Sequence, residues 1–381
     1  MPGRLWLPGI PRDFTDGIDG EGKMKGDVAM KKWCLKICLA LGMAALLVGS
    51  GSAETRRIVD MSGRELEIPA VPQRIYSTNP IGTTLIYTLA PDQLLGWNYP
   101  LSDREKHFIP EPYRSLPVVG GWYSTREGNL EKILTFKPDL FVCMSSLDES
   151  TLSFVEKLQN QTGIPVVVAS YELAHLDETY RFLGDLLGEK ERARALANYC
   201  AETVRQVREG VETIPEKSRL RVYYAEGPDG QRTDPEGSRH TQVLSMAGGI
   251  NVAQVPRGSG AGMAAVSLEQ IFLWDPDVIF AWKKGRGGFF EEISGNSDWQ
   301  KLRAVRSGEV YGVPDNPFCW FDRPPSVNRV LGLRWTSHLL YPEVFPRNMI
   351  EEAQEFYGLF WHYRLSEDEA RQILEGSLRR P

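Results

Sequence analysis

The chain has 381 residues, with 44 Lys/Arg against 50 Asp/Glu and a formal net charge of −6. The acidic balance argues against a nucleic-acid partner. The length exceeds what one hydrophobic core comfortably serves and points to two lobes.

Taken in order, the segment Met30–Ala53 reads as a cleaved export signal. Lys31, Lys32 and Lys36 precede an apolar run of 12 residues, Ile37 to Val48, and Gly51-Ser52-Ala53 supplies small residues for cleavage. A membrane span needs about 20 apolar residues. No cysteine follows the run, so no lipid anchor is predicted, and the odd set Cys143, Cys200 and Cys319 leaves at least one thiol free. The expected organisation is an extension and signal over 1–53, an α/β lobe over 54–172, a bridging helix over 173–217, a second α/β lobe over 218–345 and a helical tail over 346–381.

Within the first lobe, Ser62-Gly63 predicts the turn of an edge hairpin over 56–69. Strands are expected at Arg74–Ser77, Leu94–Trp97, Val118–Gly120, Leu140–Val142 and Val166–Val168, with helices at Gly82–Leu89 and Thr151–Thr162. Leu176–Val211 has helical periodicity broken at Gly188, and its second piece is long enough to bridge two lobes as a strut of roughly 33 Å. In the second lobe, Arg221–Ala225 and Val310–Val313 read as strands, and Thr241–Ala247 and Leu331–Leu340 as helices. Val255–Gly262 reads as a flexible linker rather than an anion-binding loop.

One unit occurs twice. Leu130-Glu131-Lys132-Ile133, four residues, then Pro138-Asp139-Leu140-Phe141-Val142 matches Leu268-Glu269-Gln270-Ile271, four residues, then Pro276-Asp277-Val278-Ile279-Phe280. Asn129 and Ser267 suit N-caps, and Glu131 and Glu269 suit a helix's positive end. Each copy therefore predicts a short helix, a tight turn and a strand buried on both faces. The glutamates carry either helix-start charge alone or a matched function on two similar lobes, each with its own core.

Two doubly wound α/β lobes follow, with ligands expected outside the carboxyl ends of the strands. The loops there supply Trp122, Tyr123 and Arg126 in the first lobe, and Arg232, Trp282, Lys284, Trp320, Phe321 and Arg323 in the second. Aromatics and cations together suit a large planar or anionic ligand, with ordinary packing as the competing role. No catalytic motif appears, and the five histidines are scattered, so no enzyme, resident metal or cofactor is predicted. His240 reads as a helix-start residue, with the cleft as its alternative place.

The motifs Pro72-Gln73-Arg74-Ile75, Gly128–Ile133 with Lys137-Pro138-Asp139-Leu140, Val266–Ile271 with Asp275-Pro276-Asp277-Val278, and Gly248-Gly249-Ile250-Asn251-Val252 carry a resemblance. The mature chain, from about Arg57 to Phe345, resembles the periplasmic binding proteins of ABC importers for cobalamin, iron-siderophores and haem. That resemblance implies two Rossmann-like lobes on a rigid helix, and a periplasmic protein that carries a metal chelate to a permease dimer with its ATPase subunits. It puts Glu131 and Glu269 on the permease-docking positions and Trp122 on a cleft tryptophan. Thr84 stands where many relatives have glutamate. An oxyanion binder of the same fold is the nearby alternative, and a metallocofactor-processing enzyme the distant one.

Overall fold

The computed structural model describes residues 54–256 and 263–378, so the signal segment and most of the Val255–Gly262 loop lie outside the described residues. Two parallel sheets form the frame. The first has the order β3 (Ile75–Ser77), β4 (Leu140–Met144), β5 (Val166–Ala169), with Ile75 opposite Leu140 and Phe141 opposite Val166. An antiparallel hairpin of β1 (Thr55–Val59) and β2 (Glu65–Pro69) turns at Gly63, where φ is +87°. Buried Asp60 fastens it to β5 by accepting from Val168 N and from Arg64, which itself donates to Val166 O.

The second sheet has the order β11 (Val310–Val313), β10 (Val278–Trp282), β6 (Arg221–Ala225), β8 (Ile250–Asn251). A two-stranded ribbon of β7 (Arg232–Thr233) and β9 (Ala264–Ala265) stands beside it. The segments expected as strands at Leu94–Trp97 and Val118–Gly120 are reduced to single bridges, Ile75 to Leu94 and Trp97 to Val118. Pro117 accepts from Trp97 N but has no N–H to extend the ladder, and Gly120 turns away at φ +93°.

The repeat holds down to single atoms. Asn129 and Ser267 both accept from the backbone N–H three residues on, and both helices (Leu130–Thr135 and Leu268–Trp274) end beside a non-glycine residue of positive φ, Lys137 and Asp275. The repeated aspartates fasten the start of the neighbouring strand. Asp139 accepts from the N–H groups of Gln73 and Arg74, and Asp277 from that of Arg221. The Pro-Asp pair thus sets the register of each central strand.

Helices cover both faces of each sheet, which is why the central strands β4 and β10 are apolar and buried throughout. In β4, Phe141 and Cys143 face an outer core with Ile133 and Val155, while Leu140, Val142 and Met144 face inward. In β10, Ile279 and Ala281 face outward, and Val278, Phe280 and Trp282 inward. The inward faces belong to one buried cluster that runs through both lobes, so the cores are not separate as the repeat suggested. Residues from Thr55 onward accordingly form one compact unit.

Two elements join the lobes. The Leu176–Leu187 helix ends at Gly188 (φ +80°), and the 23-residue Lys190–Glu212 helix then runs from one lobe to the other. At its start Arg192 donates to Thr88 O (2.8 Å); near its end an added Cβ on Gly210 would lie 2.3 Å from the Phe345 ring. The tail, expected only to be helical, is a second strap. Trp361 stacks on Tyr87 of the first lobe and donates to Asn328 of the second, and Ser377 O accepts from Trp335. Cys143, Cys200 and Cys319 are all buried free thiols. Among the described residues, no helix is long and apolar enough to cross a membrane.

Candidate functional site

A cavity of about 720 Å³ opens between the lobes at the carboxyl ends of the first sheet. The first lobe contributes Ile81, Tyr99, Trp122, Tyr123, Met144 and Tyr171; the second contributes Ser238, Arg239, His240, Arg323 and the Pro324-Pro325 turn. The floor is built by strand ends. Asn79 follows β3, caps the Pro80–Leu89 helix through Gly82 N, and donates to Met144 O at the end of β4 (2.8 Å). Trp122 is placed by its own N–H on Thr78 O (2.7 Å), an edge contact with Phe154, and the bare face of Gly128. Tyr123 donates to Asn98 O and lies near Tyr99.

The second-lobe wall is ionic. Arg323 bonds Glu226 (2.8 Å), Asp234 (2.6 Å) and Asp322, all three fully buried. Arg286 adds a longer contact to Asp322 (3.5 Å). Burial disfavours charge on Asp322, yet Arg323, Arg286 and His240 hold its carboxyl below the usual range. Burial and the Asp322 charge push Glu226 well above it. Burial, then Arg323, lowers the His240 imidazole. Donor atoms of Asp234, His240 and Asp322 lie within 4.8 Å of one another. Arg323 already bonds both carboxylates, so a bare cation there would have to displace it.

The structure sorts the residues named from sequence. Trp122, Tyr123 and Arg323 line the cavity. Arg126 is exposed outside the lining, 5.8 Å over the Tyr123 ring. Trp282 lies behind the wall, donates to Tyr224 OH, and carries Arg286 and Arg323 on its ring. Arg232 on β7 and Lys284, which faces Glu292 at 3.6 Å, are exposed and outside the lining. Trp320 and Phe321 are corrections: both are 0% exposed, packed on Trp335, and Phe321 also on Tyr224 and Phe280. Glu131 and Glu269 are exposed in the first turns of the repeat helices. At Glu269, backbone and Ser267 hydrogen bonds hold the carboxyl low.

Sequence reasoning missed Tyr99, Tyr171 and Arg239. The first two follow strand ends, and that signal could have found them. Arg239 stands on a one-turn helix with His240, which takes the alternative place foreseen for it, the cavity; the N-caps there are Ser238 and Thr241.

A two-lobed, cleft-bearing α/β frame with a rigid connecting helix defines a solute-binding protein. The periplasmic binding protein family matches residues 98–317, and the chain belongs to it. An ABC transporter solute-binding protein from Sulfurospirillum deleyianum is 33% identical in sequence; its structure aligns over 84% of this chain and 99% of its own, with a TM-score of 0.77. The high-affinity heme uptake system protein IsdE of Staphylococcus aureus is 23% identical over 246 residues, 62% of this chain and 80% of that protein. The molybdate-bound periplasmic protein MolA of a Haemophilus influenzae ABC transporter aligns at 20% identity, over 82% of this chain and 99% of its own, with a TM-score of 0.63. The Sulfurospirillum and Haemophilus proteins are binding proteins of ABC transporters, as the resemblance read from sequence implied.

Proposed function

We propose that the chain is the exported, non-enzymatic binding component of an ABC importer and that its inter-lobe cavity takes a metal chelate: an iron-siderophore, a haem or a corrinoid. The observation that carries this is the cavity itself. Its volume of about 720 Å³ suits a ligand of chelate size, and flat rings of Tyr99, Trp122 and Tyr123 face an ionic wall from the other lobe. The similarity to MolA supports a second reading, a bare oxyanion, which would leave most of that volume to water.

Glu131 and Glu269 are the docking charges for the permease dimer. Two exposed carboxylates at equivalent places on two lobes suit two pseudo-equivalent partners, where charge sets register and on-rate. The reading is tested by titrating the purified protein with haemin, cyanocobalamin, a ferric siderophore and molybdate, following intrinsic tryptophan fluorescence and the visible spectrum. Saturable binding of one chelate is expected; tight binding of molybdate alone would replace the chelate reading. Glu131→Arg with Glu269→Arg should leave that titration unchanged and abolish stimulation of the importer's ATPase. Loss of ligand binding with docking intact would reverse the assignment.

A further inference from the structure

The space between the lobes does not end at Arg323. A narrower void of about 200 Å³ lies beside it, and a further cavity of about 880 Å³ follows. The three share walls. Tyr99, Arg323 and Pro324 line both the first cavity and the narrow void; Arg104, Gly285 and Asp315 line both the narrow void and the further cavity. The further cavity lies at the carboxyl ends of β10 and β11, beside Lys283 and Asp315, and the tail contributes Glu369, Gln372 and Ile373 to it. The cleft is therefore a row of three spaces: one at the strand ends of each sheet and a passage between them.

Arg104 stands at the far end of the passage. It comes from the Asp103–His107 helix of the first lobe and reaches Asp315 (2.6 Å) and Asn316 Oδ1 (3.2 Å) of the second. Its guanidinium lies over the bare backbone of Gly285, where an added Cβ would be 2.1 Å from Nη1. Every charged residue of the passage wall is paired within the protein. Arg104 holds Asp315, Arg323 holds Glu226 and Asp234, Arg286 faces Asp322, and Glu105 accepts from Tyr99 OH and Ser102 N. Pro317, Phe318 and Pro324 complete the lining with apolar surface. A charged group entering here would lose its water and find no free counter-charge. A methylene chain with a neutral amide leaves each pair intact. At about 200 Å³ the passage is smaller than the roughly 300 Å³ at which pockets begin to hold whole ligands, so it suits an arm and not a chelate core.

We infer that the ligand carries an uncharged pendant arm, of alkyl or alkyl-amide chemistry, which enters this passage while the metal-bearing core fills the first cavity. The inference rests on the chelate reading and names a structural class within it. Arg104 is exposed on a long, rotatable side chain, so it is the wall residue that yields to the end of the arm. The further cavity gives that end room beyond the passage.

The test compares three ferric tris-hydroxamates: a cyclic one without an arm (ferrioxamine E), a linear one whose arm ends in an ammonium (ferrioxamine B), and its N-acetylated form, whose arm ends in an uncharged amide. The N-acetylated form should bind at least about tenfold more tightly than either of the others, the weight of burying two methylenes. Gly285→Leu, which puts apolar bulk where the Arg104 guanidinium now lies, should remove that advantage and leave the armless chelate bound as before. If Gly285→Leu does not fold, the comparison on the unaltered protein decides. A second readout does not depend on affinity. Cys143, Cys200 and Cys319 are buried, so Gly285→Cys places an accessible thiol at the passage alone among the described residues. Saturation with the N-acetylated form should protect that thiol from alkylation, and saturation with the armless chelate should not. Where cyanocobalamin is the chelate selected by titration, protection by its amide arms decides in the same way. Equal or tighter binding of either comparison chelate, an advantage that survives Gly285→Leu, absence of protection, or binding of haemin alone, whose acidic arms are charged, overturns the inference and leaves the chelate reading standing. Binding of molybdate alone, or of no chelate, overturns both.

Discussion

Trp320 and Phe321 carry the properties expected of ligand-stacking residues and do another job. They sit in an aromatic-rich loop after β11, beside Arg323, which does reach the cavity. In the structure the loop folds back, so that Trp320 meets Trp335 edge-on and Phe321 fills the space between Tyr224, Phe280 and Trp335. Replacing either with alanine should therefore cost about 3–5 kcal/mol of stability through the cavity left behind. Urea denaturation measures that loss. The folded fraction should bind ligand with near-normal affinity, since neither ring lines the site. Unchanged stability with weakened binding would return both residues to the site. Sequence could not separate these roles, because a buried and a ligand-facing aromatic differ in their neighbours and not in their chemistry.

At the scale of elements, the bridge is decided by its glycines. Gly188, with positive φ, ends the Leu176–Leu187 helix and lets the chain turn into the Lys190–Glu212 helix. Gly184 does a different thing: a Cβ there would lie 2.2 Å from the Ala193 side chain, so the two helices cross where neither carries bulk. Gly184→Val should separate them and cost about 1–3 kcal/mol. A lowered melting temperature with helicity retained would show it; an unchanged melting temperature would mean that the crossing yields without cost. The break at Gly188 was legible because a helical period interrupted by glycine has one simple meaning. So were the repeat helices, whose caps and acidic first turns follow local rules. The short bridges at Leu94 and Val118 were not, because pairing depends on which neighbour arrives and on Pro117's missing N–H. The cavity was half legible. Strand ends indicated Trp122, Tyr123 and Arg323, but Arg239 comes from a one-turn helix that no periodicity announces.

For the whole molecule, the two connections act together on lobe motion. The Lys190–Glu212 helix alone is a stiff strut, and a strut still permits rocking about its ends. The tail removes much of that freedom. Trp361 is fully buried among Tyr87 of the first lobe and Phe318 and Asn328 of the second, and Glu369 bonds His107 across the same junction (2.8 Å). The inward cores of both lobes are one cluster, so rocking would open apolar surface as well as break hydrogen bonds. Ligand binding should therefore leave the radius of gyration unchanged within error, measured by small-angle scattering on the free protein and on protein saturated with the chelate selected by titration. Trp361→Ala should loosen this strap without touching the cavity lining, and a difference between free and bound forms should then appear. A large ligand-induced contraction in the unaltered protein would show that the strap slides rather than holds. The docking proposed for Glu131 and Glu269 would in that case depend on closure of the lobes as well as on the two carboxylates.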